Sequence, residues 1–295
     1  MKIKRSRQDI VIDVLIGVVM AAVVFATLYP FYLAMVLSLN EGLDAQSGGI
    51  YFWPRRFTLE NYTSLFKDDS WLRAFFVTLS RTVIGTFFTV TFTAIVSYGL
   101  SHKELIFRKF YFGLFIFAMY FSGGVIPYYL TLKNLHLLNN FAVYIIPGCL
   151  SLFYVLVATS FFQDIPGELA ESARLDGAGE LTIFFRLIVP ISMPLLATVA
   201  IFTSVGHWNS WYESAFFVQD KSLRTMAYLM MAVINHSSSK NLSGVSAQMA
   251  ASSSSTTTLS IQLAAMMISV LPILCVYPFF QRYFVTGLTV GAVKS

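Results

Sequence analysis

Apolar positions gather into six long runs separated by polar connections: Val14–Leu39, Trp71–Leu100, Phe107–Leu132, Phe141–Phe162, Phe185–Trp208 and Leu259–Phe284. Each reaches the ~20 residues that a helix needs to cross a bilayer core. Backbone groups in lipid must bond within their own segment, and weak period-2 alternation argues against a barrel. The pattern therefore predicts an all-α, polytopic membrane protein with six transmembrane helices in a single domain over 1–295. The first run follows Lys2, Lys4, Arg5 and Arg7. It is too long for a signal-peptide core and ends in no A-x-A-like site, so it reads as a retained helix.

Basic residues orient these spans. Lys2, Lys4, Arg5 and Arg7 precede the first, and Lys103, Arg108 and Lys109 fall in the short 2–3 connection, whereas the 3–4 connection holds Lys133 alone. Both termini are accordingly expected in the cytoplasm, with connections 1–2, 3–4 and 5–6 outside. Connection 163–184 belongs inside yet carries Asp164, Glu168, Glu171, Asp176 and Glu180 against Arg174. Acidic residues weigh little in this rule, so the topology stands, but the excess asks for its own explanation. The outer 5–6 connection contains Ser237–Ser239 and Ser252–Thr258 and reads as a low-complexity loop.

Composition supports the membrane reading. Charged residues make up 12% of the chain and hydrophobic ones 56%, against about 25% charged in soluble domains. A soluble enzyme, a nucleic-acid module and a disordered tail are disfavoured together. The net charge of +5 then reflects topology rather than a nucleic-acid partner. Cys149 and Cys275 lie in apolar runs and read as packing residues. No G-x-x-x-x-G-K-[ST] phosphate loop, H-E-x-x-H pair or paired nucleophile and base occurs, so the chain reads as a non-enzyme with no cofactor of its own.

Segment 165–190 is the most informative. Asp164 and Pro166 are helix-start signals, and Gly177 or Gly179 can turn the chain, which predicts two short helices joined at a glycine. Leu169, Ala170, Ala173 and Leu175 would give the first a small-residue face open to another protein, with Glu168, Glu171 and Asp176 beside it. By physics alone an ordinary amphipathic loop helix accounts for the same residues.

The motifs go further. Glu171–Ser172–Ala173, Gly177, and Leu187, Val189 and Pro190 together resemble the EAA loop of binding-protein-dependent ABC importer permeases, with Ser172 in place of the usual alanine. Asp176–Gly177–Ala178, Phe184–Phe185, the stretch His207–Trp211 and the tail Gln281–Lys294 resemble the carbohydrate-uptake branch. Ser122–Pro127 and Leu137–Asn140 are similar to the subgroup importing polysaccharides and acidic oligosaccharides, alginate among them. The resemblance implies a cytoplasmic coupling helix between helices four and five, with Glu171, Ser172, Ala173, Asp176 and Gly177 at an ATPase contact. It also implies a second permease subunit, two ATP-hydrolysing subunits that carry the ATP and Mg, an external solute-binding protein, and a multi-pass place in the bacterial inner membrane. The tail beyond Arg282 is expected between the ATPases.

Arg81 is the clearest intramembrane cation. It either faces a cavity, where it could neutralise a uronate, or snorkels to the outer interface. Tyr128, Trp208 and Trp211 could stack on sugar rings or form an interfacial aromatic belt, and Asn209 and Glu213 could add hydrogen bonds. Lys133 and His136 read as interfacial, His207 as a helix-end residue. Gly123–Gly124 and Pro127 are expected to break helix three. An ion-coupled secondary transporter is the competing reading, and it requires an acidic residue at mid-membrane.

Overall fold

The computed structural model describes residues 7–67, 69–242 and 256–292, with side chains assigned over 8–67, 69–235 and 256–275. The described residues are helical, with one isolated bridge between Asn40 and Phe57. They divide into two compact units, one from Met1–Asp68 and Ala232–Val270, the other from Asp69–Met231 and Leu271–Ser295.

In the first unit, α1 (Arg7–Ser38) exposes apolar side chains on every face from Ile10 to Met35. A helix apolar all round belongs in lipid or in a larger core. At its end the chain folds into α2 (Gly42–Ser47) and α3 (Glu60–Phe66), tied by two fully buried asparagines. Asn61 Nδ2 donates to the Ser38 and Asn40 carbonyls at 2.8 and 2.9 Å, and Asn40 Oδ1 accepts from the Arg56 amide at 2.8 Å. Glu41–Arg56 at 2.9 Å and Asp44–Arg55 at 3.3 Å close the rim. Asn61→Ala strands two buried carbonyls, so we expect it to cost about 1–3 kcal/mol. Proteolysis of the 39–67 segment should rise in this variant and not in Thr63→Ala.

The second unit is built on α4 (Asp69–Ser101). Ala74, Thr78, Arg81, Gly85, Thr89, Thr93 and Ser97 are buried at i+3 and i+4 spacing and form one small and polar stripe. Small residues let helix backbones approach closely in a membrane, and hydroxyls supply hydrogen bonds between segments. An added Cβ at Gly85 would lie 2.6 Å from His207 Nε2, so glycine admits the imidazole.

Three of the six runs are continuous helices long and apolar enough to cross a membrane: α1, α4 and the helix over Thr258–Ala292. The other three are interrupted. The third run divides into α5 (Arg108–Tyr120) and α6 (Val125–Asn134), which meet at 115°. The expected glycine break is present, with Gly124 at φ +82°. The fourth is helical only in α7 (Leu152–Gln163); before it, Phe141–Tyr144 forms one 3-10 turn. Pro147 lacks an N–H and cannot carry a helical ladder there, and the Gly148 carbonyl accepts from Thr89 Oγ1 at 2.9 Å. Thr89 of the α4 stripe thus bonds backbone that the broken run exposes. Inside α7, the Val155 carbonyl also accepts from Ser97 Oγ at 3.0 Å.

After α8 (Gly167–Leu175), the chain runs through α9 (Glu180–Ile183), a π turn at Phe184–Ile188 and α10 (Val189–Ile191), then bends by 77° into α11 (Met193–Asn209). Pro190 and Pro194 each remove an amide donor there, which accounts for the widened turn and the kink. α12 (Tyr212–Phe216) and α13 (Met226–Leu242) follow. Ser237–Ser239 therefore belong to a helix and not to the expected loop, while Ser252–Ser255 lie outside the described residues. The last helix, α14 (Thr258–Ala292), carries the tail motif as far as Ala292. Both cysteines are free, Cys149 half-buried and Cys275 exposed, so only the first packs as expected within this chain.

Candidate functional site

Two sites emerge in the second unit, one at the α8 turn and one around Arg81. The predicted pair of short helices joined at a glycine is present. Gly177, at φ +81°, donates to the Arg174 carbonyl at 3.0 Å, and Ala178 donates to Ala173 at 2.9 Å. These are the two bonds of a Schellman motif, which needs a left-handed residue after the cap. Gly177→Ala forces a Cβ into that conformation at about 1–2 kcal/mol. Faster hydrogen exchange of the 167–178 amides is expected, with Gly177→Asn falling between it and the parent.

The expected small-residue face divides in two. Ala170 and Ala173 pack inward against a core of Ala94, Phe162, Ile183, Phe184, Ile188 and Leu196. Glu168, Leu169, Glu171, Ser172, Leu175 and Asp176 point outward, Leu175 being 90% exposed. Helical periodicity decides this: Ala170 and Ala173 are three apart and share one face, which the bundle takes. Of the resemblance's contact residues, Glu171, Ser172, Asp176 and Gly177 are exposed, and Ala173 is half-buried.

Glu180 was counted in the sequence only as part of an acidic excess. Its Oε1 accepts from Arg174 Nε at 2.9 Å and its Oε2 from the Tyr98 hydroxyl at 2.7 Å, with His102 Nε2 at 3.7 Å. Arg174 first and Tyr98 second hold the Glu180 carboxyl below its ordinary range. One carboxylate thereby ties the end of α8 to the end of α4. A sequence signal was available only as Arg174 and Glu180 flanking the glycine turn; Tyr98 is remote in the chain.

Arg81 does not snorkel. It is 2% exposed and donates from Nη2 to Glu213 Oε2 at 2.8 Å and from Nη1 to the Ser210 carbonyl at 3.0 Å. Ser210 Oγ also donates to Glu213 Oε2 at 2.7 Å. The guanidinium carbon stands 4.8 Å from the Tyr144 ring centre, within cation–π range. Tyr144 is itself fixed by its hydroxyl donating to the Leu223 carbonyl at 2.8 Å. The Ser210 carbonyl ends α11, where helix carbonyls favour a cation.

This cluster borders a cavity of about 440 Å³ whose wall includes Arg81, Tyr128, Tyr144, Tyr154, Thr203, His207 and Glu213. Three of the six substrate-path candidates, Arg81, Tyr128 and Glu213, therefore meet at one space. Trp208, Asn209 and Trp211 do not line it. Trp208 is 7% exposed and sets its ring edge-on to Phe75 at 6.1 Å, a packing contact. Asn209 and Trp211 are exposed at the end of α11. Tyr154 and Thr203 were not among the candidates. Spacing within one helix cannot reveal them, because the broken fourth run brings Tyr144 and Tyr154 to the wall.

Comparison with known proteins places this architecture. No family model matches the chain. Protein LplC of Bacillus subtilis (strain 168) is 34% identical over 269 residues, covering 91% of this chain and 90% of that protein. The polygalacturonan/rhamnogalacturonan transport system permease protein YtcP of the same strain is 32% identical over 266 residues, covering 90% and 92%. A crystal structure of a bacterial ABC transporter involved in the import of the acidic polysaccharide alginate has a chain that superposes with a TM-score of 0.83 at 23% identity, covering 96% of this chain and 100% of that one. That likeness is one of fold. With the identity shared across nine-tenths of each chain, the protein belongs to the carbohydrate ABC transporter permeases.

Proposed function

We propose that this chain is a membrane-spanning subunit of an ATP-driven importer that moves oligosaccharide or polysaccharide into the cytoplasm of a bacterium. Both termini face the cytoplasm, and the six crossings comprise α1, α4, the bent pair α5–α6, α7 with its broken approach, the bent helix ending in α11, and α14. A second permease subunit completes the translocation route. Two ATP-hydrolysing subunits bind the ATP and Mg, and an external solute-binding protein delivers the sugar. Uronate chains such as alginate form one substrate class and neutral oligosaccharides the other.

The observation that carries this reading is the α8 lever. It presents Glu168, Glu171, Ser172 and Asp176 outward, while Ala170 and Ala173 seat it on the bundle core and Glu180 ties it to α4. A short rigid helix so anchored transmits closure of a docked ATPase to the crossing helices as a rigid-body movement. The test is uptake of labelled oligosaccharide into proteoliposomes holding this chain with its partner subunits. Uptake should require ATP and the binding protein. Glu171→Lys reverses an exposed charge on α8 and should abolish most uptake while membrane insertion stays normal. Uptake driven by an ion gradient without ATP would overturn the proposal in favour of a secondary transporter.

A further inference from the structure

The transport reading leaves open what the Arg81 cavity accepts. Its charged wall groups are Arg81 and Glu213, with His207 as the titratable neighbour. These two charges are not equally presented. The Arg81 side chain is 2% exposed and the Glu213 side chain 27% exposed. Both Nη groups of Arg81 are already donating, one to Ser210 and one to Glu213. A molecule in the cavity therefore meets a carboxylate, with its countercharge held behind it.

An ionised carboxylate only accepts hydrogen bonds, and neighbouring hydroxyls on a sugar ring are donors matched to it. A second wall group points to the same ligand chemistry. Thr203 is 8% exposed, lines the cavity, and its hydroxyl has no hydrogen-bond partner. A hydroxyl can donate to or accept from a sugar hydroxyl. Tyr128 and Tyr154 add ring surface. The volume of about 440 Å³ falls in the range of small-molecule sites, about 300–1,000 Å³.

We infer that this cavity binds a neutral sugar unit and rejects uronates, with Glu213 as the specificity-determining residue and Arg81 as its buried counterion. A uronate would set its carboxylate against that of Glu213, the more exposed of the two charges, and like charges at close range repel. Arg81 Nε has no partner among the described residues but is buried, so a uronate would reach the guanidinium by displacing Glu213, leaving that acid without its partner. The inference rests on the transport reading and names the substrate class for this subunit's part of the route.

The test reads binding directly, without the solute-binding protein, so that the permease's own preference is seen. The assembled importer in lipid nanodiscs is mixed with short oligogalacturonides or with the same mixture after carboxyl reduction, which turns each uronate into a neutral hexose of unchanged linkage. Saturation transfer from protein to sugar protons reports the bound fraction. The neutral mixture should bind at least tenfold more tightly than the acidic one. Glu213→Gln should narrow that ratio at least threefold, and Glu213→Asp should keep it. Equal or tighter binding of the acidic mixture by the parent protein, or no binding of either, overturns the inference. So does a Glu213→Gln variant that weakens both mixtures in parallel, the sign of a purely structural residue. The uptake assay is a separate readout: absent uptake with intact neutral-sugar binding overturns the transport reading alone. ATP-dependent uptake with a uronate preference at this site overturns the inference alone.

Discussion

Arg81→Met should be the most damaging single substitution in the second unit. It removes a cation that is 2% exposed, leaves Glu213 without its countercharge and with only the Ser210 hydroxyl among the described side chains donating to it, and takes the Arg81 donor from the Ser210 carbonyl. Breaking one side of a buried ion pair costs about 3–5 kcal/mol, because the remaining charge is desolvated and uncompensated. We expect the yield of detergent-stable protein to fall steeply and the thermal transition to drop. Arg81→Met combined with Glu213→Gln removes both charges and should recover much of the loss. The measurement is a double-mutant cycle on thermal stability in one detergent. Additive losses with no recovery would show that the two residues act independently.

Glu180→Ala should separate ATP hydrolysis from transport. Glu180 accepts from Arg174 on α8 and from Tyr98 on α4, so its removal frees the lever from the crossing helix while the Schellman turn at Gly177 remains. Uptake should fall by about tenfold or more, the scale of coupling free energies of ~1–3 kcal/mol, with ATP hydrolysis by the assembly largely kept. Tyr98→Phe removes one of the two ties and should give an intermediate loss. Acid should act in the same direction. The Glu180 carboxyl sits below its ordinary range because Arg174 and Tyr98 bond the charged form. The clamp is therefore complete above the ordinary carboxylate range and is lost only as pH falls through that lowered value. Coupled uptake measured at fixed ATPase rate should stay flat from neutral pH into mild acid and then decline. An unchanged uptake-to-hydrolysis ratio in Glu180→Ala would remove the coupling role.

Much of the architecture could be read from the linear pattern. Runs such as Trp71–Leu100 are long and apolar, and lipid allows them no other backbone solution than a helix. The Gly177 turn was legible for a different reason: few residues tolerate a left-handed backbone, so a glycine between two helix-forming stretches marks it. Gly123–Gly124 foretold the break in the third run on the same grounds. Over Phe141–Phe162 the linear pattern reads as one helix because hydropathy counts Ile145, Ile146 and Cys149 as helix, whereas Pro147 removes an amide donor and Gly148 lowers helix propensity. That break survives because Thr89 on α4 supplies the Gly148 carbonyl with a hydrogen bond from another helix.

The same division holds for function. The sequence by itself determined a helical carbohydrate permease with an acidic, glycine-turned loop between its fourth and fifth runs, because hydropathy, helix signals and motif spacing are local properties. Which way Ala170 and Ala173 face, that Glu180 clamps α8 to Tyr98, and that Glu213 spends the charge of Arg81 were decided only by the tertiary structure. Those pairings join residues 82 and 132 positions apart in the chain. A buried charge takes whichever partner the packed helices bring within hydrogen-bond distance, and no local pattern records that partner.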